Sequence, residues 1–511
     1  MSLNDQTSDG FRAVPAGGPT LDTLFRRAAV RRPDVLALVD PPNRPAFTDG
    51  APRRLTYLEA DAAISSLAGQ LQGTGLQSGD PVALMLGNTV ESVLSLLAVL
   101  RAGMVAVPIS LLMGRADAAD ALTRVGAKAL ITCGRVGTLT PAARAMDIAA
   151  AVFTIRSVCG FGDSLPDGFV TLDLDSRPQQ TKMPAGGGNP GRRLAAITFD
   201  TTHDGIVPVA RNHAQLIAGG LAVMLESRAE RDAVILTTVM TSSFAGLAVG
   251  VIPWLLSGGT LVLHHPFDAA VLAAQCEDLN CSIVNLPAAL LPALADSGRL
   301  ASLENAKAIV AVWRAPERLA QSRRWEHDSP ALVDIQAFGE IGLIPARRDH
   351  TGAPAAMTPA REAAADAAGG GADLIAFTLT AAGTVALRGA MVPRHAYPPG
   401  MPEHPSAPLP VASDGFIDTG FACRRDGANR LVVTAPPAGM VAVGGQRMFI
   451  QTLQQLAQQA GPSATLAAFP DLFAGQRLAG SAGGADNVEH LLAAAGAGPL
   501  VVDAFRRPRS A

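Results

Sequence analysis

The chain has 511 residues, too many for one ordinary core, so at least two domains are expected, with the larger one subdivided. Apolar residues make up 48% and charged residues 17%, which excludes a disordered chain and predicts a well-buried globular one. A net charge of -3 gives no basis for nucleic-acid binding, and five cysteines (133, 159, 276, 281 and 423) without a CxxC pair suit a reducing cytoplasm.

Residues 1–20 read as a mobile tail, and its start, MSLNDQTSDG, carries no apolar signal segment. From Leu21 to about residue 135 helix and strand patterns alternate. TLDTLFRRAAVRR has helical spacing. PVALMLG is a short apolar run after the turn signal Ser78-Gly79-Asp80. TVESVLSLLAVLRAG is a helix ended by Gly103, and MVAVPIS is the next strand. Strand, helix, strand at this spacing is a crossover unit, so the sheet is predicted to be mainly parallel. A second α/β unit is expected from Leu194 to about Ile335, with strands in LAAITF, AVILTTV, GTLVLHH, CSIVNLP and AIVAVW. The uncharged run Phe244 to Leu263 is long enough to raise a membrane question. Pro253 and Gly258-Gly259 interrupt it, so a buried helix leading into a buried strand is predicted, and no membrane span. Residues 347–372 read as a surface insertion, 373–434 as a β subdomain, 435–439 as a linker and 440–511 as a small, shortened α+β domain.

The segments LTYLEAD, GLQSGDPVALMLGN, LAVLRAGMVAVPIS and DALTRVGAKALIT resemble the opening of acyl-CoA synthetases and other adenylate-forming ligases, the AMP-dependent synthetase and ligase family. Arg101, Ala102, Gly103 and Pro108 form its K/R-A-G-x-x-x-x-P element, and weaker similarity continues to about residue 450. The resemblance implies an α/β fold. A large AMP-binding-like N-terminal region (21–434) would hold two α/β subdomains and a β subdomain, followed by a hinge at 435–439 and a small mobile C-terminal domain. It also implies the family reaction, in which a carboxylate attacks ATP to give an acyl-adenylate and a thiol, usually of CoA, displaces AMP.

That chemistry needs donors and a cation around the phosphates, a carboxylate for Mg²⁺ and a small-residue cleft for adenine. The family's phosphate loop, T-S-G-T-T-G-x-P-K-G, corresponds here to Asp200-Thr201-Thr202-His203-Asp204-Gly205-Ile206-Val207-Pro208. Thr201 and Thr202 are retained, the lysine is Ile206 or Val207, and Asp200 and Asp204 are expected to repel phosphate by about 1 kcal/mol even in a water-like dielectric. Arg211 is the nearest candidate cation. The adenine motif G-G-A-P becomes Trp313-Arg314-Ala315-Pro316, with the indole expected to fill the nucleotide slot. The Mg²⁺ motif Y-G-x-T-E keeps Phe338 and Gly339 but ends in Ile341 and Gly342, with Glu340 two positions early as the candidate metal carboxylate. The ribose motif T-G-D reads Thr419-Gly420-Phe421 after Asp418. The hinge loses its Arg and Asp, and Gly444-Gly445 keep the following turn. The chain has three lysines, Lys128, Lys182 and Lys307, so the C-terminal catalytic lysine has no counterpart except a strained Arg506 or Arg507. Ser243, Phe244 and Gly246, with Trp313, match the stretch that lines the acyl pocket, although simple core packing explains the first three equally well.

Other constellations read as structural. Gly186 to Gly191 spell GxGxxG but precede a strand and contain Pro190, so a loop is expected. Ala479 to Gly483, with Asp486 and His490, approach a hydrolase elbow without its first glycine. His203, Asp204 and His213 suggest a metal site, but His213 falls where the family often starts a helix; His264 and His265 point to opposite faces of a strand.

Two readings follow. The first is a catalytically impaired relative that binds an acyl or aryl carboxylate, an acyl thioester or a protein partner, and it assigns no cofactor. The second is an active, divergent carboxylate–CoA ligase that uses ATP, Mg²⁺ and CoA through Arg211, Glu340 and Asp418. A third is a scaffold subunit of a larger synthase complex. All three place the chain in the cytoplasm.

Overall fold

The structure, a computed structural model, describes residues 18–177, 189–203, 205–303, 305–326, 330–358, 374–393, 412, 414–427, 430–471, 473–483 and 487–506. Outside them lie the tail to residue 17, Lys182, Gly186 to Gly188, Asp204, residues 359–372 of the expected insertion, Asp486 and Arg507.

Two mainly parallel sheets form the body. Pro81–Leu84, Val105–Pro108 and Thr260–Leu263 are buried at every position, as expected of strands covered on both faces. The first sheet has seven strands in the order Val170–Thr171, Ser157–Phe161, Ala129–Cys133, Pro81–Leu84, Val105–Pro108, Leu194–Thr202, Gly205–Asn212. It is parallel until its last pair, an antiparallel hairpin. The second has eight strands, in the order Gly342–Arg347, Ala331–Phe338, Ala308–Trp313, Ile283–Pro287, Val234–Thr237, Thr260–Leu263, Leu36–Val39, Arg54–Thr56, with an antiparallel strand at each edge. One apolar cluster runs through both, taking in Val82 and Leu84 from the first and Ile235, Leu261 and Val310 from the second.

Local chemistry sets the crossovers. Helix Tyr57–Gly73 opens on a capping box between Thr56 and Glu59. Helix Val90–Arg101 stops before Gly103, whose φ of 75° lets the chain turn back into Val105–Pro108. The uncharged run becomes buried helical turns, Phe244–Gly246, Leu247–Val251 and Ile252–Ser257, and then strand Thr260–Leu263. Among the described residues no helix is long and apolar enough to cross a membrane.

A four-stranded antiparallel sheet follows, in the order Ala376–Leu379, Thr384–Arg388, Ile417–Arg425, Leu431–Ala435. Beyond Pro437 the chain builds hairpin Met440–Val443/Gln446–Phe449, helix Ile450–Ala460, hairpin Thr465–Asp471/Gly475–Ser481 and helices Val488–Ala494 and Pro499–Asp503. These elements gather on their own apolar cluster, which includes Val443, Ala457, Leu466 and Leu492. This C-terminal unit rests on the rest of the chain: Arg115 Nη2 donates to the Ala494 carbonyl at 2.7 Å, and the Ala116 N–H donates to that of Gly496 at 3.3 Å.

Candidate active-site cleft

The C-terminal unit and the body enclose a cavity of about 1640 Å³. Ser243, Thr201, Trp313, Arg314 and Glu340 line it from the body, and Arg447 from the C-terminal hairpin.

The retained threonines sit at the end of a hairpin. Its ladder runs as far as the pair Thr202 and Gly205. Thr202 Oγ1 donates to the Gly205 carbonyl at 3.1 Å, and the Thr201 N–H donates to Asp200 at 2.8 Å. The backbone around the turn is thus engaged in its own ladder.

Asp200 corrects the sequence expectation. It belongs to the strand and lines the cavity, but its charge is already paired. Its Oδ1 accepts from Arg447 Nη1 at 2.9 Å and its Oδ2 from the Glu340 N–H at 2.8 Å. The arginine that neutralises it comes from 247 residues further on. The guanidinium of Arg447 also contacts Met440 Sδ and lies 5.2 Å from the ring centroid of Phe421. Phe421, aligned by sequence with a ribose-binding aspartate, is buried and meets Phe338 edge-on, centroids 5.4 Å apart. Gly339 lies directly beneath, with φ of 59°, and a Cβ there would collide with both Arg447 and Asp200.

Arg211 is also displaced from its expected place. Its guanidinium is fully enclosed and donates to the carbonyls of Glu340 and Ile341, the latter at 2.9 Å. It lies 3.8 Å from the ring centroid of Phe244, and its Nη1 has no hydrogen-bond partner in the described structure. Burial lowers its pKa to about 10, partly offset by Glu340 and Asp200. Arg211 is not in the cavity wall. Glu340 is buried and accepts from the Phe244 N–H at 2.7 Å; Arg314 Nη1 stands 4.0 Å from its other oxygen. Burial raises the Glu340 pKa, and Arg314 opposes that shift.

Trp313 does not plug the cleft. Its Nε1 donates to Asp334 at 2.8 Å, and that buried carboxylate also takes Arg348 through two nitrogens. The half-buried indole therefore forms wall while the cavity stays open beside it. Ala315 lines the cavity, and Pro316 opens the 3-10 turn Pro316–Gln321. Ser243 caps the turn at Phe244, accepting from the Gly246 N–H at 3.2 Å; a Cβ at Gly246 would meet the Met240 carbonyl.

Asp418 and Thr419 stay within the four-stranded sheet. Asp418 accepts from Thr384 Oγ1 at 2.8 Å and from the Gly420 N–H at 2.9 Å, while Thr419 Oγ1 donates to the Val385 carbonyl at 2.7 Å. Neither lines the cavity. Hence Thr201, Phe338, Gly339, Glu340, Ser243, Phe244 and Arg211 converge, and Asp418 and Thr419 do not. The residue missed from the sequence is Arg447. Its one signal is a lone charge in the apolar hairpin segment VAVGGQRMFI.

The side constellations are structural. His213 Nδ1 accepts from the Leu21 N–H at 3.3 Å, and burial lowers its pKa to about 4. His264 bonds Gln275 at 2.7 Å, and His265 packs on Phe47. Ser481 ends a strand instead of a sharp turn. Among the described residues no group of three His, Cys, Asp or Glu side chains could hold a metal ion.

Residues 25–182 match the profile of the AMP-binding enzymes. That stretch is similar to the AMP-binding, adenylate-forming enzymes. The chain is 29% identical over 349 residues to a salicyl-AMP ligase / salicyl-S-ArCP synthetase of Mycobacterium tuberculosis, a match covering 67% of this chain and 55% of that protein. It is 28% identical over 235 residues to a feruloyl-CoA synthase of an Amycolatopsis species, covering 45% of this chain and 43% of the other. The chain thus spans about half the length of these curated relatives. In fold it superposes on the amide bond synthetase of Marinactinospora thermotolerans with a TM-score of 0.69 at 19% identity, covering 94% of both chains.

Proposed function

We propose that this protein holds an acyl or aryl carboxylate, or its thioester, in the interdomain cavity without activating it through ATP. The supporting observation is the closed network Asp200–Arg447–Phe421–Phe338 over Gly339, at the positions that correspond to the family's phosphate, ribose and metal motifs. These residues do not fit ATP with Mg²⁺. The strands at the phosphate position stay paired as far as Thr202 and Gly205, Phe421 offers no oxygen to a ribose, and Glu340 already accepts from the Phe244 N–H. The cavity itself is large enough for a carboxylic acid with a substantial tail, with apolar wall from Phe267, Leu290 and Leu291.

Incubation with ATP, Mg²⁺ and a panel of aliphatic and aromatic carboxylates tests this reading. The expected result is no pyrophosphate above the no-enzyme rate and no ATP-dependent rise in melting temperature, with stabilisation by a carboxylate or its CoA thioester alone. Pyrophosphate release that depends on the carboxylate, together with stabilisation by ATP, would favour the second reading, a divergent active ligase. What speaks for that reading is that Thr201, Ser243 and Glu340 still line an open cavity.

A further inference from the structure

The charged groups at the cavity floor and buried just behind it do not balance. Arg211, Arg314 and Arg447 face two carboxylates, Asp200 and Glu340, and the five influence one another electrostatically. Asp200 is committed to Arg447 at 2.9 Å. Arg211 spends its bonds on backbone carbonyls and leaves Nη1 buried without a partner. Arg314 has a single hydrogen bond in the described structure, to the Gly445 carbonyl at 3.3 Å, and its nearest carboxylate is Glu340 at 4.0 Å. Further along the wall Glu317 and Arg318 add one charge of each sign, Arg323 and Arg348 pair with Asp296 and Asp334, and Arg324, Glu326 and Asp471 lie outside this group of five.

An excess positive charge among largely buried groups is unfavourable unless an anion joins it. Burial lowers the pKa of both Arg211 and Arg314, and the nearby carboxylates Glu340 and Asp200 oppose that shift only in part. The deficit grows if Glu340 takes up a proton, which is the direction its burial pushes it.

We propose that Arg314, backed by Arg447, is an anion subsite that fixes the charged end of the ligand in the cavity. The chemical class is a carboxylate or a phosphate oxyanion, both of which a guanidinium holds through paired N–H donors. Arg314 sits between strand Ala308–Trp313 of the body and the Gly445 carbonyl of the C-terminal hairpin, so an anion on it bridges the two units. The inference shares with the functional reading only the cavity as the binding site.

Calorimetric titration of the full chain at neutral pH, without nucleotide, tests the subsite. The probes are sodium benzoate and sodium hexanoate for carboxylates, inorganic phosphate for phosphates, and benzamide as the neutral counterpart of benzoate. At least one anion is expected to bind, with benzamide weaker than benzoate by about tenfold or more. Arg314→Gln should weaken the bound anion by about tenfold or more, and Arg314→Lys, which keeps the charge and loses the fork, should fall between. Lys307→Gln, on an exposed ion pair away from the cavity, should stay within about twofold. A melt of each variant confirms that it is folded. Binding by benzoate but not phosphate assigns a carboxylate, and the reverse assigns a phosphate. Equal binding of benzamide, an unchanged affinity in Arg314→Gln or no binding by any anion would overturn the subsite. Turnover of ATP in the preceding assay would instead sink the impaired reading and leave the subsite standing.

Discussion

At the scale of single residues, the site turns on what each side chain meets, and composition could not settle that. Asp200 reads from sequence as a charge that repels phosphate, and in the fold it anchors Arg447 and the Glu340 N–H. Arg211 reads as a spare cation and is sealed against Phe244 and two carbonyls. Gly339 is the residue on which this packing depends, because its φ of 59° and its missing Cβ admit Arg447 and Asp200 above it. Gly339→Ala therefore forces a left-handed alanine into a filled space. It is expected to destabilise the protein by at least about 1–2 kcal/mol, the price of the backbone conformation alone, read as a lower melting temperature. A variant that melts with the wild type would show that the network has room to spare.

At the scale of elements, the helices and strands of the body follow patterns visible in the chain, and their junctions carry charges that are less visible. Helix Val90–Arg101 receives no side-chain cap from Thr89. Asp40, 50 residues earlier, accepts from the Val90 N–H at 2.8 Å and shares Arg44 with Glu91. Burial first, and then Glu91, push the Asp40 pKa up to about 6 from 3.8. A carboxyl raised on folding favours the native state below its unfolded pKa, and that contribution is lost as pH climbs through the folded value. Asp40→Asn, which keeps an oxygen for Val90, should thus gain in melting temperature relative to the wild type as pH rises from about 4 to about 6. A difference that stays flat across that window would place the pKa shift elsewhere.

At the scale of the whole molecule, the ion pair between Asp200 and Arg447 joins strand Leu194–Thr202 of the body to the C-terminal hairpin. Both groups are nearly enclosed, so removing one leaves the other charge buried, at a cost of about 3–5 kcal/mol when no water or new partner replaces it. In Asp200→Asn, that loss should fall on the contact between the units more than on either core. Amide exchange in residues 440–449 is expected to speed up by about tenfold or more, while Ala129–Cys133, in the middle of the seven-stranded sheet, keeps its protection. Equal acceleration in both segments would mean general destabilisation, and none in either would mean that the ion pair does not hold the units together.

The apolar runs of four to six residues, the helical spacing between them and the turn glycines determined the α/β fold, because burial on both sheet faces imposes a pattern that needs no distant partner. The same local order carried the likeness to adenylate-forming enzymes in residues 21–135 and brought Phe338, Gly339 and Glu340 to one corner of one strand. Which charges neutralise which was decided only in three dimensions. Arg447 reaches Asp200 across 247 residues, Trp313 is held to the wall by Asp334 on the neighbouring strand, and Phe421 meets Phe338 from a different sheet. A charge in a sequence has a sign but no neighbour, and in a low-dielectric interior the neighbour determines whether that charge repels a ligand, locks a domain or waits for an anion.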